Sequence, residues 1–233
     1  MWLHAPNITC THGFSDRLGG VSPKPFDTLN LGASGDDPAN IEQNRKRALS
    51  HLNLSEARLC LLKQVHGTRV CRAREGSQEG DALVTRTKNI ALAVGIADCF
   101  PVLFQDEQNE VIGAAHSGWK GTVDGIAANT VNEMRELGAS AGNIKVAIGQ
   151  GISYAEFEVG NEVIERFANA GFPETLLAGN RIDLAGCIKH TLLRCGINPM
   201  HIWHMNRSST EEEFFSHRRD KGITGRNWGL IAL

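Results

Sequence analysis

Ile90-Ala91-Leu92-Ala93-Val94-Gly95-Ile96 and, beyond Ala97-Asp98-Cys99-Phe100, the facing runs Pro101-Val102-Leu103-Phe104 and Val111-Ile112-Gly113-Ala114 decide the fold. The first reads as a buried strand. The facing runs read as a β-hairpin with the polar tip Asp106-Glu107-Gln108-Asn109. A tip centred between Glu107 and Gln108 sets Gln105 against Glu110 and, further out, Cys99 against His116. Directly opposed side chains carry Cβ atoms about 4.5–5.5 Å apart. A thiolate and an imidazole at that separation can share one ion, with zinc–sulfur and zinc–nitrogen distances near ~2.3 and ~2.0 Å. The tip has no glycine and Pro101 can end the pairing early, so the register is an expectation; a slip of one residue would turn one side chain to the other face.

Outward from the hairpin, strand and helix patterns alternate. Upstream, residues 58–62, 68–73 and 82–85 read as strands. Ahead of them Asp37 suits an N-cap, Pro38 suits the first helical position, and Ile41, Arg45, Ala48, Leu49 and Leu52 recur at helical spacing. Arg45 lies inside that apolar stripe. Either its stem packs there while the guanidinium reaches solvent, or it meets an anion inside the protein. Residues 11–37 are glycine-rich and polar, and Gly13-Phe14-Ser15 and Gly19-Gly20-Val21-Ser22 read as turns. Downstream, Val123, Ile126, Ala127, Thr130, Val131, Met134 and Leu137 predict a helix from Thr122 to near Gly138. A strand at 144–148, helices at 161–170 and 183–195 (the latter capped by Asp183 and stopped by Gly196), and strands at 201–205 and 228–233 complete the pattern. No repeat, low-complexity segment or long linker divides the chain, so one compact α/β domain over residues 1–233 is expected.

Composition narrows the function classes. At 233 residues and 41% hydrophobic, the chain can bury a substantial core. Its 24 basic and 26 acidic residues leave a net charge of -2, which is no footprint for nucleic acid. Glu211-Glu212-Glu213 and Arg218-Arg219 read as solvated faces. No apolar run approaches the roughly 18–20 residues of a membrane helix. Residues 1–6 lack the basic-then-apolar order of a signal peptide. The six cysteines form no C-x-x-C pair and read as reduced thiols, so a cytoplasmic location is expected.

A lone cysteine is usually a small core residue, and a lone histidine at a strand end is usually just hydrogen-bonded. Cys99 and His116 gain meaning only as a pair with a third member. His66, in Gln64-Val65-His66-Gly67, follows an apolar strand and precedes a glycine; His12, followed by Gly13, competes with it on local grounds. Two histidines and one cysteine suit zinc or copper. With no evident fourth protein ligand, one position stays open, which marks a catalytic rather than a structural site. Gly118-Trp119-Lys120-Gly121 leads into the expected helix, and its free N–H groups would face an anion beside the metal.

The ordered motifs Gly13-Phe14-Ser15, Arg17 with Gly19-Gly20-Val21-Ser22, Leu29-Asn30-Leu31-Gly32, Gly35-Asp36-Asp37, Asn44-Arg45, Gln64-Val65-His66-Gly67, Ala97-Asp98-Cys99 with Pro101, His116-Ser117-Gly118-Trp119-Lys120-Gly121, Phe214-Phe215-Ser216-His217-Arg218-Arg219 and Thr224-Gly225-Arg226 resemble the YfiH-type laccase-domain family, also described as multicopper polyphenol oxidase-like and as purine nucleoside phosphorylase-like. The resemblance covers nearly the whole chain. It implies an α/β (α+β) fold of the YfiH/CNF1 type with mixed sheets flanked by helices, and a zinc site at His66, Cys99 and His116. It implies phosphorolysis of adenosine, inosine or methylthioadenosine and deamination of adenosine, with purine nucleosides and phosphate as partners. Arg45 and the turn of Gly118, Lys120 and Gly121 are then the candidates for holding phosphate, Arg45 because a guanidinium contacts it bidentately. Arg218, Arg219 and Arg226 serve equally as anion contacts or structural ion pairs, and Asp98 is expected to point away from the metal. Two stretches depart from the family pattern: Met205-Asn206-Arg207-Ser208-Ser209-Thr210, where Cys-Thr is common, and Gly149-Gln150-Gly151-Ile152, where Gly-Pro-x-Ile is common. Rival readings are copper-dependent phenol oxidation, for which nine histidines are few; a peptidoglycan-precursor amidase using the same ligands; and a binding protein with zinc as a staple.

Overall fold

Two six-stranded mixed sheets stack face to face, and helices cover the outer face of each. The computed structural model describes residues 2–32 and 35–233. In chain order the elements are β1 (Trp2–Leu3), β2 (His12–Ser15), α1 (Pro38–His51), β3 (Arg58–Lys63), β4 (Val70–Arg72), β5 (Gly76–Glu79), β6 (Ala82–Thr85), β7 (Ile90–Ile96), β8 (Phe100–Asp106), β9 (Val111–Ser117), α2 (Trp119–Val123), α3 (Ile126–Glu136), β10 (Lys145–Ile148), α4 (Asn161–Asn169), β11 (Leu177–Ala178), β12 (Arg181–Ile182), α5 (Leu184–Arg194), β13 (Ile202–His204) and β14 (Asn227–Ala232). The first sheet runs β1-β2-β14-β7-β3-β5 and the second β13-β10-β8-β9-β6-β4, each with parallel and antiparallel neighbours.

Strand periodicity builds the layers. Along β8, Val102 and Phe104 face the core shared with α3, α4 and α5, while Leu103 faces the other sheet; along β9, Val111 and Ala115 take the helix side and Ile112 and Ala114 the sheet side. Phe14, Leu92, Val94 and Ile231 of the first sheet meet Leu83, Leu103, Ile112 and Ala147 of the second. On the far side of the first sheet, Ala93, Trp228 and Leu230 pack against Leu29, Leu31, and Ala48 of α1. The mixed α/β class read from the chain is the class observed. Among the described residues no helix is long and apolar enough to cross a membrane.

The Asp37 side chain accepts the Ala39 N–H at 2.8 Å and Asp183 accepts the Gly186 N–H at 2.8 Å, so both expected caps act as such. Three expectations need correction. Gly13-Phe14-Ser15 is no turn: with His12 it forms β2, buried between β1 and β14. A glycine is required there, because a Cβ at Gly13 would stand 2.8 Å from the Trp2 ring. The single helix expected from Thr122 is two, α2 and α3, divided at Gly125 with φ of 93°. The hairpin register pairs Phe100 with Ser117 and Pro101 with His116, two residues from the expected alignment. Residues 107–110 form the tip, with Glu110 at φ 52°, so the turn is centred one residue later. Cys99 does not oppose His116. A shift of two preserves the face, however, so both still look toward the first sheet as diagonal neighbours.

Candidate metal centre

Three chain segments converge at the seam where the two sheets meet. His66 lies just beyond β3 of the first sheet, Cys99 on the crossing from β7 to β8, and His116 near the end of β9 of the second. Gln64 fixes the approach of the first segment to β7: its side chain donates to the Gly95 carbonyl and accepts the Gly95 N–H, both at 2.8 Å. His66 then adopts φ of 59°, a conformation uncommon outside glycine.

The ligand atoms of His66, Cys99 and His116 all lie within 4.8 Å of one another, and the two imidazoles meet edge to face with centroids 4.8 Å apart. His66 is exposed, Cys99 half-buried and His116 buried. Asp81, wholly buried, accepts from His116 Nδ1 at 2.9 Å, which leaves Nε2 as the candidate ligand atom. The same carboxylate accepts the Val65, His66 and Gly67 N–H groups at 3.3, 3.0 and 2.7 Å. Burial alone would push the Cys99 thiol up, but the His116 charge and hydrogen bonds from His116 and His66 bring it down to about 6. Burial opposes a charged His116 as well, yet Cys99 and Asp81 raise it to about 9. The pocket thus favours a thiolate beside positive charge, as a divalent cation requires. Gly118 keeps the space open, since a Cβ there would stand 2.9 Å from Cys99 Sγ and 3.4 Å from His66 Cδ2. Donor set, carboxylate-backed imidazole and clearance all fit a zinc- or copper-type ion.

The cluster opens into a cleft of about 1020 Å³. Arg45, Arg226 and Trp228 line its side formed by the first sheet, and Trp119, Ile152, Phe157 and Val163 the other. Arg45 donates through Nε to the Leu31 carbonyl at 3.0 Å and lies over the Trp228 ring at 5.5 Å; burial lowers its pKa. Burial also lowers that of Arg226, although the Cys99 and Asp98 charges act the other way.

Asp98 and Arg218 also line this cleft, and the remaining candidates sit elsewhere. His12 is buried with both nitrogens engaged, by the Ala5 N–H and the Cys10 carbonyl at 2.9 Å each, so it does not compete with His66. Lys120 is exposed with its ammonium 5.6 Å from the Trp119 ring centroid, and Gly121 packs so that a Cβ would stand 2.9 Å from the Gly67 carbonyl. Asp98 accepts from Ser209 and Ser216 hydroxyls at 2.7 and 2.6 Å and from the Arg218 N–H at 2.6 Å; its carboxylate anchors the 209–218 segment. Arg219 pairs with Asp220, and Arg218 donates to the Glu156 and Glu158 carbonyls. Asp81 went unnoticed in the sequence. Its one signal is a carboxylate placed directly before the apolar run Ala82-Leu83-Val84.

Residues 11–233 match the family model described as multi-copper polyphenol oxidoreductase laccase. A Deinococcus radiodurans protein named purine nucleoside phosphorylase is 44% identical over 99% of this chain and 92% of its own length. The Escherichia coli protein named purine nucleoside phosphorylase YfiH is 36% identical over 94% of this chain and 92% of its own. The crystal structure of YlmD from Geobacillus stearothermophilus superposes with a TM-score of 0.91 at 31% identity, covering 99% of this chain and 95% of that one.

Proposed function

This chain belongs to the multi-copper polyphenol oxidoreductase laccase family, and on that premise we propose that it is a zinc-dependent purine nucleoside phosphorylase, acting on adenosine, inosine or methylthioadenosine and also deaminating adenosine. The observation that carries this is the His66–Cys99–His116 cluster opening into a cleft lined by two half-buried arginines. A three-ligand ion supplies Lewis acidity at an open coordination position.

The protein's own residues do the rest. The Cys99 thiolate and the Asp81 carboxylate together balance a divalent charge, so the centre as a whole does not attract a phosphate dianion strongly. That task falls to Arg45 and Arg226. Each guanidinium is permanently charged and partly stripped of water, and a planar fork holds phosphate oxygens bidentately. They orient phosphate for attack at the ribose C1′, from which the purine leaves through an oxocarbenium-like centre; Lys120 and Gly121, which lie outside the cleft lining, take no part. Ile152, Phe157, Val159 and Val163 offer an apolar surface to the base and exclude water. Family descent does not make this chain a phenol oxidase: among the described residues one ligand cluster is present, whereas that chemistry needs several coppers. A cytoplasmic setting and one domain over residues 1–233 belong to the same reading.

The test is to incubate zinc-loaded protein with adenosine, with and without phosphate. Phosphate-dependent release of adenine and ribose 1-phosphate is expected, with inosine reporting the deaminase. Inertness toward every purine nucleoside together with release of L-alanine from a muramyl precursor would replace this function by the amidase.

A further inference from the structure

We propose that Asp81 is a positioning residue that prepares two of the three metal ligands at once: it commits His116 to the tautomer with a free Nε2 and holds His66 in place through its backbone. The inference rests on the metal site but not on the nucleoside chemistry. An ionised carboxylate can only accept hydrogen bonds. Asp81 faces nothing but donors: His116 Nδ1 and His66 N on Oδ1, at 2.9 and 3.0 Å, and Gly67 N and Val65 N on Oδ2, at 2.7 and 3.3 Å. Its own carbonyl accepts the His116 N–H at 2.8 Å, so side chain and backbone both bind the one histidine. A ring proton held on Nδ1 leaves the Nε2 lone pair for the cation. On the other arm, the three consecutive N–H groups of residues 65–67 stabilise the left-handed backbone of His66, which by itself is unfavourable. One buried side chain thereby ties a ligand from each sheet to the same point.

An amide cannot replace it. Asp81→Asn keeps the shape but offers a single acceptor oxygen. With that oxygen toward His116, the NH2 confronts the Gly67 and Val65 N–H groups. Turned round, the NH2 donates to His116 Nδ1 and drives the ring proton to Nε2, where it blocks the ion.

Two measurements test this without a nucleoside, so failure of purine turnover leaves it standing. In zinc-loaded protein labelled with 15N-histidine, the His116 ring proton is expected on Nδ1; a ring proton on Nε2 overturns the proposal. In Asp81→Asn, competition against a chromophoric chelator is expected to show zinc and cobalt affinity lower by about 10–100-fold, with an altered cobalt visible spectrum and unchanged far-ultraviolet circular dichroism. Wild-type affinity with an unaltered cobalt spectrum overturns it. If the variant does not fold, the wild-type tautomer decides.

Discussion

The two sides of the cleft are made differently. On the ligand side, His66, Cys99 and His116 stand at or just beyond the ends of regular strands, and a few contacts from Asp81 and Gln64 set their geometry. The opposite side pairs Arg45 of α1 with the irregular chain of residues 16–32 and 209–226, sewn together by buried side chains. Asn44 accepts the Val21 N–H at 2.8 Å and donates to Ser22, Thr28 and Asn30. Asn30 accepts the Arg226 N–H at 2.9 Å, and Asn227 exchanges hydrogen bonds with the Phe215 backbone. Strand ends deliver chemistry from a sheet that would form anyway; the irregular side exists only because its polar side chains are satisfied. Damage to the first should therefore cost function, and damage to the second stability.

The strongest challenge to that division is Cys99→Ala. Metal-dependent turnover, read as kcat/KM, should fall by at least about a thousandfold. Metal-free variant and metal-free wild type should melt within about 3 °C of each other. A large loss of melting temperature would mean that the ligand side also holds the fold. Asn44→Ala should do the reverse, costing about 3 kcal/mol by stranding buried donors and acceptors, or roughly 6–12 °C in melting temperature. Its metal affinity should stay within about twofold of wild type in a chelator titration; a parallel drop would couple the two sides.

Gly118→Ala sharpens the picture on the ligand side, where the added Cβ would crowd Cys99 Sγ at 2.9 Å. Metal binding about tenfold weaker is expected, a loss of about 1.4 kcal/mol. Unchanged affinity would show that the cluster can yield. The smallest effect lies at His204 in β13, where burial first and then the Lys189 charge push the imidazole from 6.5 down to about 4, against the opposite pull of Asp183. Between those values the unfolded chain takes up a proton that the folded one refuses, so its contribution to stability is complete above 6.5 and is lost as pH falls toward 4. A melting curve against pH should flatten over that interval in His204→Gln. An identical slope would take this residue out of the acid response.

The same contrast explains what the sequence revealed. Apolar runs announced β6, β7, β8 and β9, and the polar ends of the last three announced Cys99 and His116. Even a two-residue error in register left Cys99 and His116 on one face, because strand geometry repeats every second residue. On the arginine side only α1, which carries Arg45, showed a period; the chain around Arg226 had none. Asp98 meets Ser209 and Ser216 across 111 and 118 residues of chain, a pairing that no local pattern encodes. β2 escaped for a related reason: its Gly13 reads locally as a turn, whereas Trp2 is what requires it. Asp81 was hidden because its partners lie on segments that only the folded sheets bring near.

Exposure is graded across the three ligands, from open His66 through Cys99 to sealed His116, and the gradient has a kinetic meaning. An ion held at the proposed centre would enter and leave over the His66 lip, so the short segment around Gly67 would govern how fast the centre exchanges its occupant. The interior pair would govern which occupant it keeps.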